Sequence, residues 1–411
     1  MAKQQPYTYR ILSRCRGSEV TKGESILCDT DLRIIYGWPG FPERFVKIIE
    51  EEFNGEVVKK DQIRVIIDHM CPPRDQKQCE YLELVRESCK KLDLECWDMK
   101  GIGHNLAIEQ GWVKPGMLVT HFDAHVASVG AVGAFGFGSA VEMIVPFMTA
   151  KCWLDVPPVY RIDLSGKLAQ GVMGRDLLHY MVDSVGRTKS FGGTVLEFYC
   201  GEDTGLTVDD KMTICNLINY LGAMSAIFVP QGEEKSSDDC YEEIIRIDLS
   251  ELEPFLGCPP ATNYAAPLSK HIGKKINMAL IGTCSGGGLN DIETAAKILR
   301  GKAVGKDVKL YVCPSTNQIF NDAIDKGYIK DLVSAGAFIS SPTCDFCYGR
   351  AVYLQSGHRA ISTSPLNVPG RFGSKEAEIF LASPAAVAVS ALHGEITDPR
   401  SVYNEQGRSG L

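Results

Sequence analysis

Residues 276–299 read INMALIGTCSGGGLNDIETAAKIL. A short apolar run, MALI at 278–281, breaks into a glycine-rich turn that carries one cysteine, and a stretch of helix formers follows. Strand, turn and helix in that order form the repeating unit of α/β layers. Asn290-x-x-Glu293 is a capping pattern, so the helix is expected to begin at Asn290. Outward from this stretch, similar apolar runs lie at Ile63 to Asp68, Met117 to His121, Val195 to Tyr199 and Val308 to Cys313. Runs of this kind suit strands covered on both faces. Gln78 to Leu92 places Cys79, Leu82, Val85, Cys89 and Leu92 on one helical face with charges opposite. The expected fold class is α/β.

The chain has 411 residues, 45% of them hydrophobic and 23% charged, which implies several domains with cores large enough to need no disulfides. Gln231 to Lys270, rich in acidic residues, Pro and Ser, reads as a loop-rich connection, and Pro157-Pro158 marks a softer boundary. The expected domains are 1–155, 156–270 and 271–411. A net charge of -8 argues against nucleic acid or an anionic membrane as partner. The most apolar stretch, Val126 to Met148, is interrupted by Gly130, Gly133, Gly136, Gly138 and Glu142, so no membrane span is expected. MAKQQPYTYRILSRCRG lacks the apolar core of a secretory signal, and the protein is expected to be cytoplasmic. Most of its 15 cysteines then read as small buried hydrophobes.

Three groups of residues could carry chemistry. Cys284 in IGTCSGGG and the pair Cys344 and Cys347 in PTCDFC all sit in loop contexts. Three thiolates suit a metal or an iron-sulfur cluster with a coordination position left open, although redox pairs and zinc sites share the Cys-x-x-Cys spacing. The second group stands at strand ends: Asp68 and His69, His104, and Asp123 with His125. Carboxylate-imidazole pairs in such places resemble general acid-base dyads, and each alone also reads as a bracing residue. Four of the eight histidines (69, 104, 121 and 125) fall in this window, with His121 in the wall of the same site. Glu197, inside an apolar strand, needs a cationic partner or a metal if it is buried. The third group is the loop STSPLNVPGR (362–371), where Arg371 suits carboxylate recognition and equally a solvated loop. The glycines at 282–288 match neither of the usual nucleotide-binding patterns.

The order of these motifs resembles the aconitase family, most closely its isopropylmalate isomerase and homoaconitase large subunits. The resemblance rests on IIDH (66–69), GIGHNLAIEQGWVKPGMLVTHFDAH (101–125), GAVGAFGFGSAVE (130–142), VLEFYCGE (195–202), KMTICNLINYLGA (211–223), IGTCSGGGLNDIETAA (281–296), PTCDFC (342–347), STSPLNVPGR (362–371) and LASPAAVAVSALHGEITD (381–398). It implies a three-domain α/β/α body without the swivelling fourth domain, and a [4Fe-4S] cluster on Cys284, Cys344 and Cys347 with one iron open to substrate. It implies active-site roles for Asp68, His69, His104, Asp123, His125 and Glu197, and substrate binding by Arg371, Asn367 and Ser364. The family's proton-abstracting serine lies on the swivelling domain, so a separate small subunit is expected as partner. The activity implied is that of a hydro-lyase on a small hydroxy acid; the other reading is a non-catalytic iron-sulfur or RNA-binding relative, which the acidic charge disfavours. Three departures bear on substrate. Asp123-Ala124-His125-Val126 lacks the two hydroxyls of the family's Asp-Ser-His-Thr, Ser285-Gly286-Gly287 follows the first cysteine, and Leu366 stands where the family has a carboxylate-clamping Arg. They fit an alkyl-bearing substrate such as a branched or methyl-substituted malate.

Overall fold

The computed structural model describes residues 5–37, 40–139 and 143–403. Glu142 and the end of the 130–142 motif lie outside the described residues. The chain folds into two compact units. Unit 1 is Met1–Leu164, Phe191–Cys200 and Gly222–Ile247, and unit 2 is Ser165–Ser190, Gly201–Leu221 and Asp248–Leu411. The boundaries expected near 155 and 270 coincide with the end of a strand, Lys151–Asp155, and with a short helical turn, Leu268–His271.

The strands of unit 1 are β1 (Ser25–Asp29), β2 (Leu32–Tyr36), β3 (Ile63–Ile67), β4 (Cys96–Asp98), β5 (Leu118–His121), β6 (Phe135–Gly138), β7 (Lys151–Asp155), β8 (Val159–Ser165), β9 (Val195–Cys200), β10 (Ser225–Phe228) and β11 (Ile244–Asp248). Its helices are α1 (Tyr7–Arg16), α2 (Lys47–Phe53), α3 (Gln76–Leu92), α4 (Gly103–Glu109) and α5 (Ile144–Thr149). Five parallel strands form one sheet in the order β4-β3-β2-β5-β6. Ile34, Val65, Ile66 and Val119 are buried within it, and so is Arg33 of β2, whose guanidinium donates to the carbonyls of Phe147 and Val58 at 2.7 Å. A second sheet runs β10-β9-β8-β11, and β1 pairs with β7 as an antiparallel ribbon. Helix α3 starts two residues ahead of the expected Gln78, because the Asp75 carboxylate accepts from the Gln78 N–H at 2.9 Å and caps the first turn.

Unit 2 adds strands β12 (Phe255–Gly257), β13 (Ala265–Pro267), β14 (Met278–Gly282), β15 (Lys309–Cys313), β16 (Phe338–Ile339), β17 (Arg359–Ser362) and β18 (Glu378–Leu381). Its helices are α6 (Gly174–Tyr180), α7 (Val208–Asn216), α8 (Leu289–Leu299), α9 (Asn317–Asp325), α10 (Tyr328–Ser334) and α11 (Pro384–His393). One sheet runs β13-β12-β18-β17-β14-β15-β16, with β18 through β16 parallel. Every residue of β14 is buried, as its MALI run demands. Helix α8 begins at Leu289 and not at Asn290: the Asp291 carboxylate turns back to the Gly288 N–H at 3.1 Å, and Asn290 gives its own N–H to Asp209 at 2.9 Å. The stretch read as loop-rich, 231–270, holds β11, β12 and β13. Two of these are three residues long, too short to show a period in sequence. Among the described residues no helix is long and apolar enough to cross a membrane.

Candidate active site

Each parallel sheet changes winding direction at its centre, and both groups of candidate residues follow strand C-termini there, the place where open α/β sheets leave a crevice. In unit 1 the central strand is β2, with β3 on one side and β5 on the other. Asp68 and His69 follow β3, His104 enters α4 beyond β4, and His121, Asp123 and His125 close β5. Tyr36, the last residue of β2, stands between them, its ring 5.0 Å from the His69 ring and 4.3 Å from the His121 ring. The His104 ring is 6.4 Å from those of His121 and His125. His69 and His121 thus flank a tyrosine that the sequence alone did not single out, with Asp68 on His69 and His104 beside His121 and His125.

Hydrogen bonds fix the tautomers. Asp68 Oδ1 lies 2.7 Å from His69 Nδ1, which must therefore carry the proton, and Asp68 Oδ2 accepts from the Gly103 N–H at 3.2 Å. His121 Nδ1 accepts from the Asp123 N–H at 2.9 Å, so its proton sits on Nε2. Asp123 Oδ1 accepts from the His125 N–H at 3.0 Å. Burial, resisted by Asp123, lowers His104 to about 3 and His121 to about 4. Burial pushes Asp123 the other way, and the imidazoles of His125 and His121 outweigh it, leaving the carboxyl at about 2. The group therefore combines neutral imidazoles with a carboxylate near neutral pH. Glu197 is elsewhere in unit 1, on β9. It is fully buried, accepts from the Thr8 N–H at 2.6 Å and from the Tyr199 and Tyr241 hydroxyls at 3.1 and 3.3 Å, and is raised by burial.

In unit 2 the winding changes at β14, flanked by β15 and β17. Cys284 follows β14, Cys344 and Cys347 follow β16, and Ser364 follows β17. The two cysteine loops share an anchor at Cys313, the end of β15. Its carbonyl accepts from the Thr283 N–H at 2.9 Å, and its thiol donates to the Thr343 carbonyl at 3.5 Å. Residues 283 and 343 each precede a candidate ligand, so a single neighbour aligns both loops. The glycine turn closes down on the same point. A Cβ on Gly287 would meet the carbonyls of Thr283 and Cys313 at 2.6 and 2.8 Å, and one on Gly286 would meet the Thr363 side chain at 2.3 Å. Thr283 itself has φ 64, a costly conformation for a β-branched residue. Cys284 and Cys347 are buried and Cys344 is half-buried.

Arg371 Nη2 donates to the Cys347 thiol at 3.3 Å and its Nε to the Cys347 carbonyl at 2.5 Å, with the guanidinium over the Tyr348 ring. Asn367 is buried and donates to the Cys258 carbonyl at 2.9 Å. The Ser364 hydroxyl, also buried, lies 2.9 Å from that of Ser362. The structure thus brings Arg371 to a cysteine and places Asn367 and Ser364 inside the unit's own hydrogen-bond network. Sequence reasoning missed Arg175, His179, Asn216 and Tyr220. Arg175 and His179 are buried polar residues of α6, a charge inside a helix that should otherwise be apolar being the one available signal. The Cys284 thiol points to Asn216 Oδ1 at 3.8 Å, and Tyr220, raised by burial, feels both Cys347 and Cys284.

The donor chemistry accommodates a cluster. Arg371 donates to the Cys347 thiol at 3.3 Å and Arg175 to the hydroxyl of Ser285, next to Cys284, at 3.0 Å, so positive charge stands at both cysteine loops, as thiolates require. Among the described residues no three His, Cys, Asp or Glu side chains gather around one point as a single ion requires. A cubane takes each thiolate on a different iron and sets its ligands further apart.

The fold and the two strand-end groups define an α/β enzyme, and comparison with known proteins places it. The sequence profile of the Aconitase family (aconitate hydratase) matches residues 42–237 and 261–394. The 3-isopropylmalate dehydratase large subunit 1 of Methanopyrus kandleri is 32% identical over 413 residues, spanning 95% of this chain and 98% of its own length. The corresponding large subunit of Thermoanaerobacter is 34% identical over 418 residues, covering 96% and 99%, and that of Wolinella succinogenes 32% over 424, covering 97% and 100%. The chain belongs to the aconitase family and is an enzyme of the hydro-lyase class.

Proposed function

We propose that this chain is the cluster-bearing large subunit of a hydro-lyase that removes water from, or adds it to, a small 2-hydroxy dicarboxylic acid of the branched or methyl-substituted malate type. The observation that carries the reading is the common anchoring of the Cys284 and Cys344 loops on Cys313 at the C-terminal edge of one sheet. Cys284, Cys344 and Cys347 would hold a [4Fe-4S] cluster, whose fourth iron, without a protein thiolate, supplies Lewis acidity toward hydroxyl and carboxylate oxygens when bound. Unit 1 holds the acid-base groups. Asp68 keeps the His69 proton on Nδ1 and leaves Nε2 as an acceptor, while His121 presents a proton on Nε2. Asp123, anionic near neutral pH, stabilises positive charge that develops on His125 or His121. Leu366 in place of a cation supports a substrate with alkyl in the position of a third carboxylate.

The relatives are named large subunits, which supports a small-subunit partner for this chain as well. Anaerobic iron and sulfide quantitation, with a visible and EPR spectrum before and after each candidate hydroxy acid, tests the reading. About four irons per chain and a spectrum perturbed by a methylated malate are expected, with both lost in Cys347→Ser. Turnover is expected only when the small subunit is added. Retained turnover in a cluster-free Cys347→Ser variant would sink the mechanism.

A further inference from the structure

Arg175 carries the largest unexplained charge in unit 2. It is 1% exposed, and all of its partners are neutral oxygens: Nη2 donates to Ser285 Oγ at 3.0 Å, and Nη1 to the carbonyls of Ser364 and Ser362 at 3.2 and 3.5 Å. Its Nε has no partner among the described residues. A guanidinium stays protonated even when buried, and an uncompensated buried charge costs several kcal/mol. The carboxylates whose fields reach it are poor counter-ions, since burial raises Asp176 to about 7 and Asp291 well above the carboxylate range. The Cys284 thiol and the Tyr220 hydroxyl are the remaining groups that act on it.

The bridge it makes is specific. Ser285 directly follows Cys284, its hydroxyl donates on to the Thr363 carbonyl at 2.9 Å, and Thr363 Oγ1 holds the Gly282 N–H and carbonyl at 2.8 and 3.0 Å. One guanidinium therefore ties the Cys284 loop to the 362–364 loop and brings a full positive charge to the thiol end. A dicationic cubane on three thiolates carries one net negative charge, and two after one-electron reduction, which Arg175 toward Cys284 and Arg371 on Cys347 together offset.

On the cluster reading above, we propose that Arg175 is a positioning residue that supplies the buried counter-charge of the cysteine site, lowering the cost of holding thiolates there and favouring reduction of the bound cluster. Two consequences are separable. Charge sets the reduction potential, and the hydrogen bonds set the geometry of the loop.

The test compares the reconstituted wild type with Arg175→Gln, which keeps a donor for Ser285 and loses the charge, and Arg175→Lys, which keeps the charge and loses the forked bridge. Reduction potential by spectroelectrochemistry and the rate of iron loss to a chelator are the readouts, with circular dichroism melts as the check on folding. Arg175→Gln is expected to shift the potential negative and to release iron faster, and Arg175→Lys to keep the wild-type potential. An unchanged potential in Arg175→Gln overturns the proposal. If Arg175→Gln does not fold, Arg175→Lys still decides, because a displaced potential in that variant overturns it. A wild type that takes up no cluster overturns the cluster reading and this proposal together, whereas a loaded wild type with an indifferent Arg175 overturns this proposal alone.

Discussion

At the scale of single residues, the candidate site is made of groups whose protons are assigned by their neighbours. Asp68 is the clearest case, with one carboxylate oxygen on His69 and the other on a backbone N–H. Asp68→Asn keeps the shape and the backbone contact but no longer dictates which ring nitrogen of His69 carries the proton. Turnover is expected to fall by about 10²- to 10⁴-fold, the range for loss of a general acid-base group, with thermal stability near wild type; an unchanged kcat would remove Asp68 from the mechanism. Leu366 gives the specificity counterpart. Leu366→Arg restores a bidentate cation beside Asn367, so the ratio of kcat/KM for a tricarboxylic over a methyl-substituted dicarboxylic acid is expected to rise. Asp68, His69, Asp123 and His125 were legible in sequence because they closely follow the apolar strands β3 and β5, where function and chain order coincide, whereas His104 lies inside α4. Tyr36, Arg175 and Tyr220 were not, since each reaches its site from a segment distant in sequence and only the winding of the sheet reveals the meeting.

Among elements, β3, β5, β9, β14 and β15 were readable, because burial on both faces favours an apolar run, whereas β2, β4, β6, β16, β17 and β18 of the same parallel sheets gave no run that was read. Ribbon strands β1 and β7 were not read: each buries alternate residues and each is only five long. Helix starts were misjudged where the cap came from an unexpected residue, as Asp291 for α8 and Asp75 for α3. Helix α7 offers a measurement of what a cap contributes. Thr207 Oγ1 accepts from the Asp210 N–H at 3.1 Å, and the Asp210 carboxylate accepts in return from the Thr207 N–H at 3.0 Å. Thr207→Ala is expected to cost about 1 kcal/mol in denaturant unfolding. Gly282 is the harsher case. Its φ is 138 and a Cβ would lie 2.1 Å from the Cys313 carbonyl oxygen, so β14 would have to part from β15 at the point where both cysteine loops are anchored. Gly282→Ala is expected to cost about 1–3 kcal/mol and to lose cluster uptake at the same time, a pairing that the Thr207 variant should not show.

For the molecule as a whole, the two units respond to pH in opposite directions. In unit 1, His104 and His121 have folded pKa values of about 3 and 4 against an ordinary 6.5, and Asp123 about 2 against 3.8. The unfolded chain therefore binds more protons than the folded one below 6.5, so these groups withdraw stability as the pH falls. Between pH 7 and 5 the two imidazoles carry this effect, since Asp123 contributes only below about 3.8, and Glu197, raised by burial, opposes them. In unit 2 the buried carboxyls dominate: Asp176 is raised to about 7 from 3.8, and Asp209, Asp210 and Asp291 are raised as well. There the folded unit binds more protons, so stability is lost as the pH rises through about 7, with His179, lowered by burial, pulling the other way on the acid side. The tryptophans allow the units to be followed separately. Trp97, Trp112 and Trp153 belong to unit 1, and the segments that form unit 2 contain no tryptophan. Tryptophan fluorescence is therefore expected to lose its thermal midpoint on going from pH 7 to pH 5. Hydrogen exchange in α7 and α8, which carry Asp209, Asp210 and Asp291, is expected to report opening that grows from pH 5 to pH 7 after correction for intrinsic exchange. A fluorescence midpoint that rises on acidification would show that the imidazole cluster does not control the acid limb.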